Sequence, residues 1–219
     1  MAKKKLQRIR NGKESFRVAI FGSARTKKKD NSYMKVYNLA KLLGREGIDV
    51  VTGGGPGTME AANSGHREGD VNMLSRSLGL LIRLPKEQIA NIHLDIKKEF
   101  VQFSDRLRRF MELSNVVVVS PGGVGTTLEF FYALQLIQVH YVHNVPIILI
   151  GKQWEPLIRW LRKEVLARRF ISKHDLDSLF PVKSIHSAFK IILKTREIQE
   201  TANHNFFKKL REYCRKEKI

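Results

Sequence analysis

Short apolar runs that end in small residues alternate with amphipathic segments along this chain, and this alternation constrains its fold more than any other feature. FRVAIFGS at 16–23 and NVVVVS at 115–120 are rich in β-branched residues, as buried parallel strands are. Neighbouring parallel strands need crossover connections, which the intervening helical patterns supply. The sequence therefore predicts an α/β fold with a doubly wound, mostly parallel sheet and helices on both faces.

The hydrophobic pattern also places the individual elements and the domain boundaries. Strands are predicted at residues 16–23, 48–55, 78–84, 115–120 and 145–151, and helices at residues 33–46, 59–69, 96–114, 128–138 and 154–169. Residues 15–219 are predicted to form a single nucleotide-binding domain, in which a basic helical extension begins at about residue 171. A flexible basic arm is expected at 1–14, because that segment has no apolar periodicity.

The formal net charge of +19 is concentrated at the two ends of the chain. Residues 1–29 hold eleven Lys or Arg and one acid, residues 152–219 hold seventeen bases and eight acids, and the segment between them holds twelve of each sign. Basic surfaces attract phosphate polyanions, so the ends predict a contact with nucleic acid or another polyanion. Solvated helix faces and a tail that aid solubility are the alternative.

Several other classes of protein do not fit the sequence. No run of 18 apolar residues is present, and the Lys-rich start lacks the apolar stretch and cleavage site of a secretory signal, so a cytoplasmic protein without a membrane partner is expected. The single cysteine, Cys214, has no second Cys for a disulfide or a zinc knuckle and is expected to be a surface thiol. His140 and His143 lack a third ligand at recognisable spacing, so no metal site is expected.

Two glycine-rich turns, GGGPGT at 53–58 and PGGVGT at 121–126, each connect a predicted strand to a predicted helix. Without a Cβ atom, the backbone of such a turn can approach an anion closely, and the free N–H groups of the helix N-terminus point at that anion. The residues that meet both conditions in the second turn are Gly122, Gly123 and Gly125, with Thr126 and Thr127 as further hydroxyl donors. Close packing of a helix on a strand is the structural alternative. Neither turn has the GxxxxGK[ST] or GxGxxG spacing, which favours a monophosphate over a triphosphate or a dinucleotide.

Three ordered motifs, FGSAR at 21–25, GGGPGTMEAANSG at 53–65 and PGGVGTTLE at 121–129, resemble the LOG family of nucleoside 5′-monophosphate phosphoribohydrolases. The similarity runs from about residue 16 to residue 170. The resemblance implies a Rossmann-like fold, usually a homodimer, that hydrolyses AMP-like or cytokinin nucleotides to the free base and ribose 5-phosphate, with no metal and no organic cofactor. The family has also carried the label lysine decarboxylase. No lysine lies in either glycine loop to anchor pyridoxal phosphate, so nothing in the sequence supports that label.

The resemblance also assigns the site residues. The Glu that closes PGGVGTTLE is Glu129, and the family's Arg, fifteen residues before the proline of that motif, is Arg106; both are expected to be catalytic. A carboxylate can stabilise the oxocarbenium-like centre that forms as the base leaves, and a guanidinium can hold phosphate or base with fixed geometry. The expected substrate-binding residues are Ser23, Gly54, Gly55, Gly57, Thr58, Met59, Gly122, Gly123, Gly125, Thr126 and Thr127.

The residues around Arg106 leave alternatives open. Family members commonly have Lys directly after this Arg and His or an aromatic residue two positions before it, whereas Leu107 and Ser104 stand there in this chain. Arg106 could also face solvent, and Glu129 would be favoured by the helix dipole in any case. The second hypothesis is therefore a non-catalytic binding protein for a nucleotide or phospho-ligand, with basic tails that contact nucleic acid.

Overall fold

The structure is a computed structural model that describes residues 15–83, 89–201 and 205–219. The arm expected at 1–14 lies outside the described residues, and so does the last residue of the strand predicted at 78–84. The described strands are β1 Arg17–Phe21, β2 Asp49–Thr52, β3 Ser77–Ile82, β4 Ile96–Phe100, β5 Val116–Val119, β6 Ile147–Ile150 and β7 Leu179–Val182.

The helices fill the connections between these strands. They are α1 Asn31–Arg45, α2 Thr58–Gly69, α3 Phe103–Leu113, α4 Val124–Gln138, α5 Trp154–Trp160, α6 Ile185–Glu200 and α7 Phe206–Lys216. A π-helical segment, Leu161–Leu166, continues α5, and a 3₁₀ turn at His174–Leu176 precedes β7.

The seven described strands form one all-parallel sheet in the order β4-β3-β2-β1-β5-β6-β7. The chain winds outward from β1 to β4, then returns to the other side of β1 to add β5, β6 and β7. The strand order therefore reverses between β1 and β5, and a crevice opens at the carboxyl ends of these two strands, where α/β proteins place their ligands. The predicted fold class is confirmed.

Two buried clusters, one on each face of the sheet, form the core. In β1, Val18 and Ile20 join one cluster and Ala19 and Phe21 join the other, as the alternation of a strand requires. Helices α1, α2, α6 and α7 cover the first face, and helices α3, α4 and α5 cover the second. The sheet is thus doubly wound, and its central strands are buried on both sides.

The helix predicted at 96–114 is wrong in its first seven residues. The sequence IKKEF forms β4 and pairs in parallel with β3, from Ile96 opposite Leu78 to Phe100 opposite Ile82. Lys and Glu favour a helix, but pairing with an open sheet edge overrides that weak preference. The helix begins only at Phe103. The charged residues of β4 are exposed at the sheet edge, where they oppose pairing with another chain.

The C-terminal segment contains a strand that the sequence analysis did not predict. The residues LFPV of β7 pair with β6 and close the sheet on that side. Pro181 argues against a strand on pattern alone, although an edge strand tolerates proline because one of its sides has no partner. The expectation of a surface thiol at Cys214 is wrong, because α7 buries this residue against the core and the burial raises the pKa of its thiol.

Helices α1 and α2 pack so closely that glycine is required between them. A Cβ atom added at Gly65 would overlap the carbonyl oxygen of Tyr37, and one added at Gly69 would overlap that of Lys41. Both of these contacts are with backbone atoms, which cannot rotate away as a side chain can. The bare glycine surface therefore fixes how α2, and the GGGPGT loop that leads into it, sits on the domain.

We expect Gly65→Ala to lower the free energy of unfolding by about 2 kcal/mol, because the cost of overpacking exceeds the gain of about 1 kcal/mol in helix propensity. Gly125→Ala is the matched control, since nothing lies within 4 Å of a Cβ at that helical position. Urea denaturation of both variants checks this. Equal stability of the two variants would contradict the required close approach.

Candidate active site

The loops that follow β1, β2 and β5 meet at one edge of the sheet, and the backbone of Ser23 connects them. Its N–H donates to the carbonyl oxygen of Pro121 (3.3 Å), and its own carbonyl accepts from the N–H of Thr58 (2.9 Å). The Ser23 hydroxyl accepts from the backbone N–H of Arg25 (3.0 Å) and so shapes its own loop. The three motifs singled out in the sequence therefore lie together at this edge.

The GGGPGT loop is held from beneath by a buried polar network. Gly54 and Gly57 have φ angles of 74° and 69°, which other residues rarely adopt. The amide of Asn91 donates to the carbonyl oxygens of Gly54 (3.1 Å) and Gly55 (3.0 Å) and to the side-chain oxygen of Asn63 (2.9 Å). Asn63 in turn accepts from Thr52 (2.8 Å). The carbonyl oxygens of this loop thus face protein, which directs the N-terminus of α2 towards the crevice.

The PGGVGT loop presents the most open backbone of the site. The side-chain amide of Gln153 bonds both backbone groups of Gly122: its oxygen accepts from the N–H (3.1 Å), and its nitrogen donates to the carbonyl oxygen (2.6 Å). Gly123 and Gly125 are exposed, with nothing within 4 Å of a Cβ at either position. Within residues 15–83, 89–201 and 205–219, no side chain caps the start of α4. Its first N–H groups are therefore free to bind an anion.

The threonines and the methionine of the two motifs lie deeper. Thr58 is fully buried, and its hydroxyl lies 3.1 Å from that of Thr26. Thr126 is buried beneath Gly122, and the hydroxyl of Thr127 donates to the carbonyl oxygen of Gly123 (3.0 Å). Met59 is buried with its sulfur beside Gly53. These side chains shape the loops around the open backbone of Gly123 and Gly125.

Arg106 and Glu129 meet at the same edge of the sheet, one from α3 and the other from α4. Arg106 is 8% exposed; its Nε donates to the carbonyl oxygen of Leu80 (2.6 Å), and its guanidinium lies 5.2 Å from the ring centre of Phe110. One terminal nitrogen lies 3.6 Å from the Glu129 carboxylate, within the range of an ion pair but too long for a hydrogen bond. The other faces Gly53, where a Cβ would meet it. The alternative in which Arg106 faces solvent is therefore wrong.

Burial dominates the electrostatics of this pair. It raises the pKa of Glu129 from 4.5 to about 7, against the opposing effect of the Arg106 charge. Burial also lowers the pKa of Arg106, and Glu129 acts in the other direction. A carboxyl that titrates near neutrality can exchange a proton with water or substrate at ordinary pH.

The two departures from the family pattern have different surroundings. Leu107 is buried on the core side of α3, where it packs as an apolar residue, and Ser104 is exposed in the first turn of that helix. The change at Leu107 therefore leaves the site without the Lys charge that family members commonly carry after this Arg.

Three supporting residues escaped the sequence analysis, namely Gln153, Asn91 and Asn63. Gln153 and Asn91 lie 31 and 37 residues along the chain from the glycines they hold, and only the fold brings them there. Asn63 stands inside the second motif, on the helix that follows its loop, but the sequence analysis assigned it no role. A polar residue shortly after a strand that ends in glycine is the one signal that points to Gln153. Nothing in the pattern around Asn91 distinguishes it from an ordinary loop residue.

The described residues contain no helix long and apolar enough to cross a membrane. Among the same residues, no group of three or more His, Cys, Asp and Glu side chains is placed to hold a metal ion. The rings of His140 and His143 are stacked, with their centres 6.1 Å apart.

A family model described as possible lysine decarboxylase matches residues 59–192 of this chain. A pyrimidine/purine nucleotide 5′-monophosphate nucleosidase of Escherichia coli strain K12 is 29% identical over 135 residues, which is 56% of this chain and 28% of the relative. The proteins of two other Escherichia coli strains match equally. The chain thus spans little more than a quarter of the length of these curated relatives.

Solved structures show the same fold at low sequence identity. The molybdenum cofactor carrier protein of Chlamydomonas reinhardtii has a TM-score of 0.62 and 22% identity, over 84% of this chain and 99% of its own. The molybdenum cofactor binding protein of Rippkaea orientalis has a TM-score of 0.60 and 18% identity, over 84% of this chain and 98% of its own. DNA processing protein A of Helicobacter pylori has a TM-score of 0.55 and 18% identity, over 87% of this chain and 83% of its own.

The raised pKa of Glu129 predicts a change of stability with pH. Between pH 4.5 and 7 the folded protein holds a proton that the unfolded chain has lost, so this residue's contribution to the free energy of unfolding falls as pH rises through that window. We expect Glu129→Gln to gain stability relative to the wild-type protein by on the order of 2 kcal/mol between pH 5 and pH 8. Urea denaturation at both pH values measures it, and a pH-independent difference would contradict the shift.

Proposed function

The chain belongs to the LOG family, and we propose that it hydrolyses the N-glycosidic bond of a nucleoside 5′-monophosphate. In this reaction the bond between C1′ of the ribose and the base nitrogen breaks, and its electron pair leaves with the base. The oxygen of a water molecule bonds to C1′; one of its protons ends on the base nitrogen, and the other stays on the new C1′ hydroxyl. The products are the free base and ribose 5-phosphate. The Escherichia coli relative named as a nucleotide 5′-monophosphate nucleosidase supports this assignment.

The phosphate of the nucleotide would lie against the exposed N-terminus of α4. The N–H groups that follow Gly123 are uncapped, and the loop before them is held by Gln153. Fixed N–H donors at the positive end of a helix dipole bind a phosphate without any lysine or arginine. The two glycine turns, joined through Ser23, would enclose the phosphate and the ribose.

Glu129 and Arg106 would then act on the glycosidic bond. Ionised Glu129 would stabilise the positive charge that develops at C1′, and it would orient the attacking water or the ribose hydroxyls. Arg106 would hold the phosphate or the leaving base through its terminal nitrogens, while its Nε stays bonded to Leu80. Met59, with its sulfur beside Gly53, would contact the base.

The single observation that carries this proposal is the Arg106–Glu129 pair, buried at the sheet edge from which the uncapped α4 begins. A site that only carried a phosphate would need the open helix N-terminus alone. A carboxyl with a pKa of about 7 beside it adds the means for chemistry. An AMP-like or cytokinin substrate, a homodimer and a cytoplasmic location stay predictions of the family resemblance.

We expect the purified protein to release free base from at least one of a panel of 5′-monophosphates, AMP first, in the absence of added metal. Glu129→Gln should lower kcat by about 100-fold or more, because the developing charge at C1′ loses its carboxylate. Chromatography of the products measures both. Glu112→Gln is the matched control, since Glu112 is exposed on α3 and its ion pairs with described residues are those with its helix neighbours Arg108 and Arg109. Nucleotide binding without release of base would instead support the non-catalytic binding protein.

Gly123→Asp should abolish binding of AMP, because its carboxylate would occupy the place of the phosphate and repel it. The side chain fits, since nothing lies within 4 Å of a Cβ there and the backbone is extended. The Asn side chain in Gly123→Asn has the same size without the charge. We expect this variant to bind AMP at least about tenfold more tightly than the Asp variant, a difference in binding free energy of about 1.4 kcal/mol or more. Isothermal titration calorimetry of both variants measures it. Equal affinity of the two would place the phosphate elsewhere.

A further inference from the structure

A second cavity lies near the start of strands β6 and β7, at the end of the sheet opposite to the carboxyl ends where the candidate active site lies. Its volume is about 1240 Å³, and its walls come from the end of α4, the residues just before β7, and α7. Helix α4 begins in the PGGVGT loop and runs 15 residues to Gln138, a rise of about 21 Å at 1.5 Å per residue. The two places are therefore separated by the length of that helix.

Basic side chains outnumber acidic ones in this cavity. The lining bases are Arg162, Lys173, Lys208, Arg211 and Arg215, and the lining side-chain acids are Asp175 and Asp177. Asp175 accepts from the backbone of Ser172 (2.7 Å) and from Gln138 (3.1 Å), and Asp177 pairs with Arg211 (3.1 Å). The other four bases are exposed and have no acidic partner among the described residues.

Arg211 is fixed at the wall of the cavity before any ligand binds. Its Nε donates to the carbonyl oxygen of Asp177 (3.0 Å), and one terminal nitrogen donates to those of Leu176 (2.8 Å) and Leu179 (3.3 Å). The guanidinium lies 5.2 Å from the ring centre of Phe180. The remaining terminal nitrogen has no acceptor within the described residues. A rigid guanidinium with a free edge is suited to an oxyanion.

The arginines around this site are close enough to repel one another. Burial lowers the pKa of Arg211, Asp177 raises it, and the charges of Arg162 and Arg215 lower it further. An unneutralised cluster of like charges destabilises the folded protein, and an anion bound among them removes that cost. The hydroxyl of Ser178, which is 1% exposed and lines the same cavity, has no hydrogen-bond partner in the described part of the chain.

We propose that this cavity binds a polyphosphate group, free or as part of a nucleotide, between Arg211 on one wall and Arg162, Lys208 and Arg215 on the others. Several separate positive charges match several linked phosphates better than one phosphate. The site is independent of the proposed nucleosidase, because none of its residues belongs to the loops after β1, β2 or β5.

Calorimetric titration with inorganic tripolyphosphate tests the proposal directly. The triple variant Arg162→Glu, Lys208→Glu, Arg215→Glu should bind at least about tenfold more weakly than the wild-type protein. The matched control is Lys163→Glu, Lys209→Glu, Lys216→Glu, which changes the net charge equally at the neighbouring residues outside this cavity. The control should stay within about threefold of the wild-type affinity. Should the first triple variant fail to fold, Lys208→Glu against Lys209→Glu makes the same comparison.

Gly123→Asp separates this cavity from the nucleotide site, because it should lose AMP and keep tripolyphosphate. If the Gly123→Asp variant binds ATP more tightly than tripolyphosphate, the ligand of this cavity is a nucleotide. If it binds the two with equal affinity, the ligand is the free polyphosphate. Four results would overturn the proposal: no saturable binding, equal losses in the two triple variants, loss of tripolyphosphate in Gly123→Asp, or binding of a long RNA oligonucleotide alone.

Discussion

The position of β1 between β2 and β5 is the constraint on which the rest of the structure depends. Parallel pairing on both sides brings the ends of three strands to one edge, and the backbone of Ser23 then ties their loops together. Helix α2 leaves this edge on one face of the sheet, and helix α4 leaves it on the other. Two helix N-termini therefore converge on the crevice from opposite sides, and neither needs a charged side chain to attract a phosphate.

The buried Arg106–Glu129 pair lowers the stability of the fold, whereas a pair of apolar residues in the same place would not. Moving charges out of water is unfavourable by several kcal/mol unless close partners compensate, and a separation of 3.6 Å compensates only in part. The pKa of Glu129, about 7, shows that burial outweighs the attraction of Arg106. Only the Nε of Arg106 has a hydrogen-bond acceptor among the described residues. The pair thus has hydrogen-bonding groups without partners among the described residues, and the polar groups of a substrate can bind to them.

The sequence predicts the elements that a local residue pattern determines, and it misses those that form only because a neighbouring strand or loop is there to pair with. The buried strands and the glycine turns have strong local signals, so the doubly wound sheet and its ligand edge follow from them. IKKEF reads as part of a helix and LFPV contains a proline, so neither edge strand has a local signal; both depend on a neighbouring strand to pair with. Gln153 and Asn91 are missed for the same reason. Arg106 and Glu129 came from resemblance, because no spacing rule brings α3 and α4 together.

The two proposals assign phosphate-binding chemistry of two physical kinds to opposite ends of one sheet. The electrically balanced middle segment uses backbone N–H groups, whose partial charges are fixed in direction and act only at contact. The basic C-terminal segment uses long exposed side chains around one rigid Arg211, whose attraction reaches several ångströms and weakens with salt. Backbone donors can select a phosphate by shape, whereas a cluster of like charges selects by charge number. Under the two proposals, the uneven distribution of charge along the sequence would let the chain discriminate between a monophosphate at one end of the sheet and a more highly charged anion at the other.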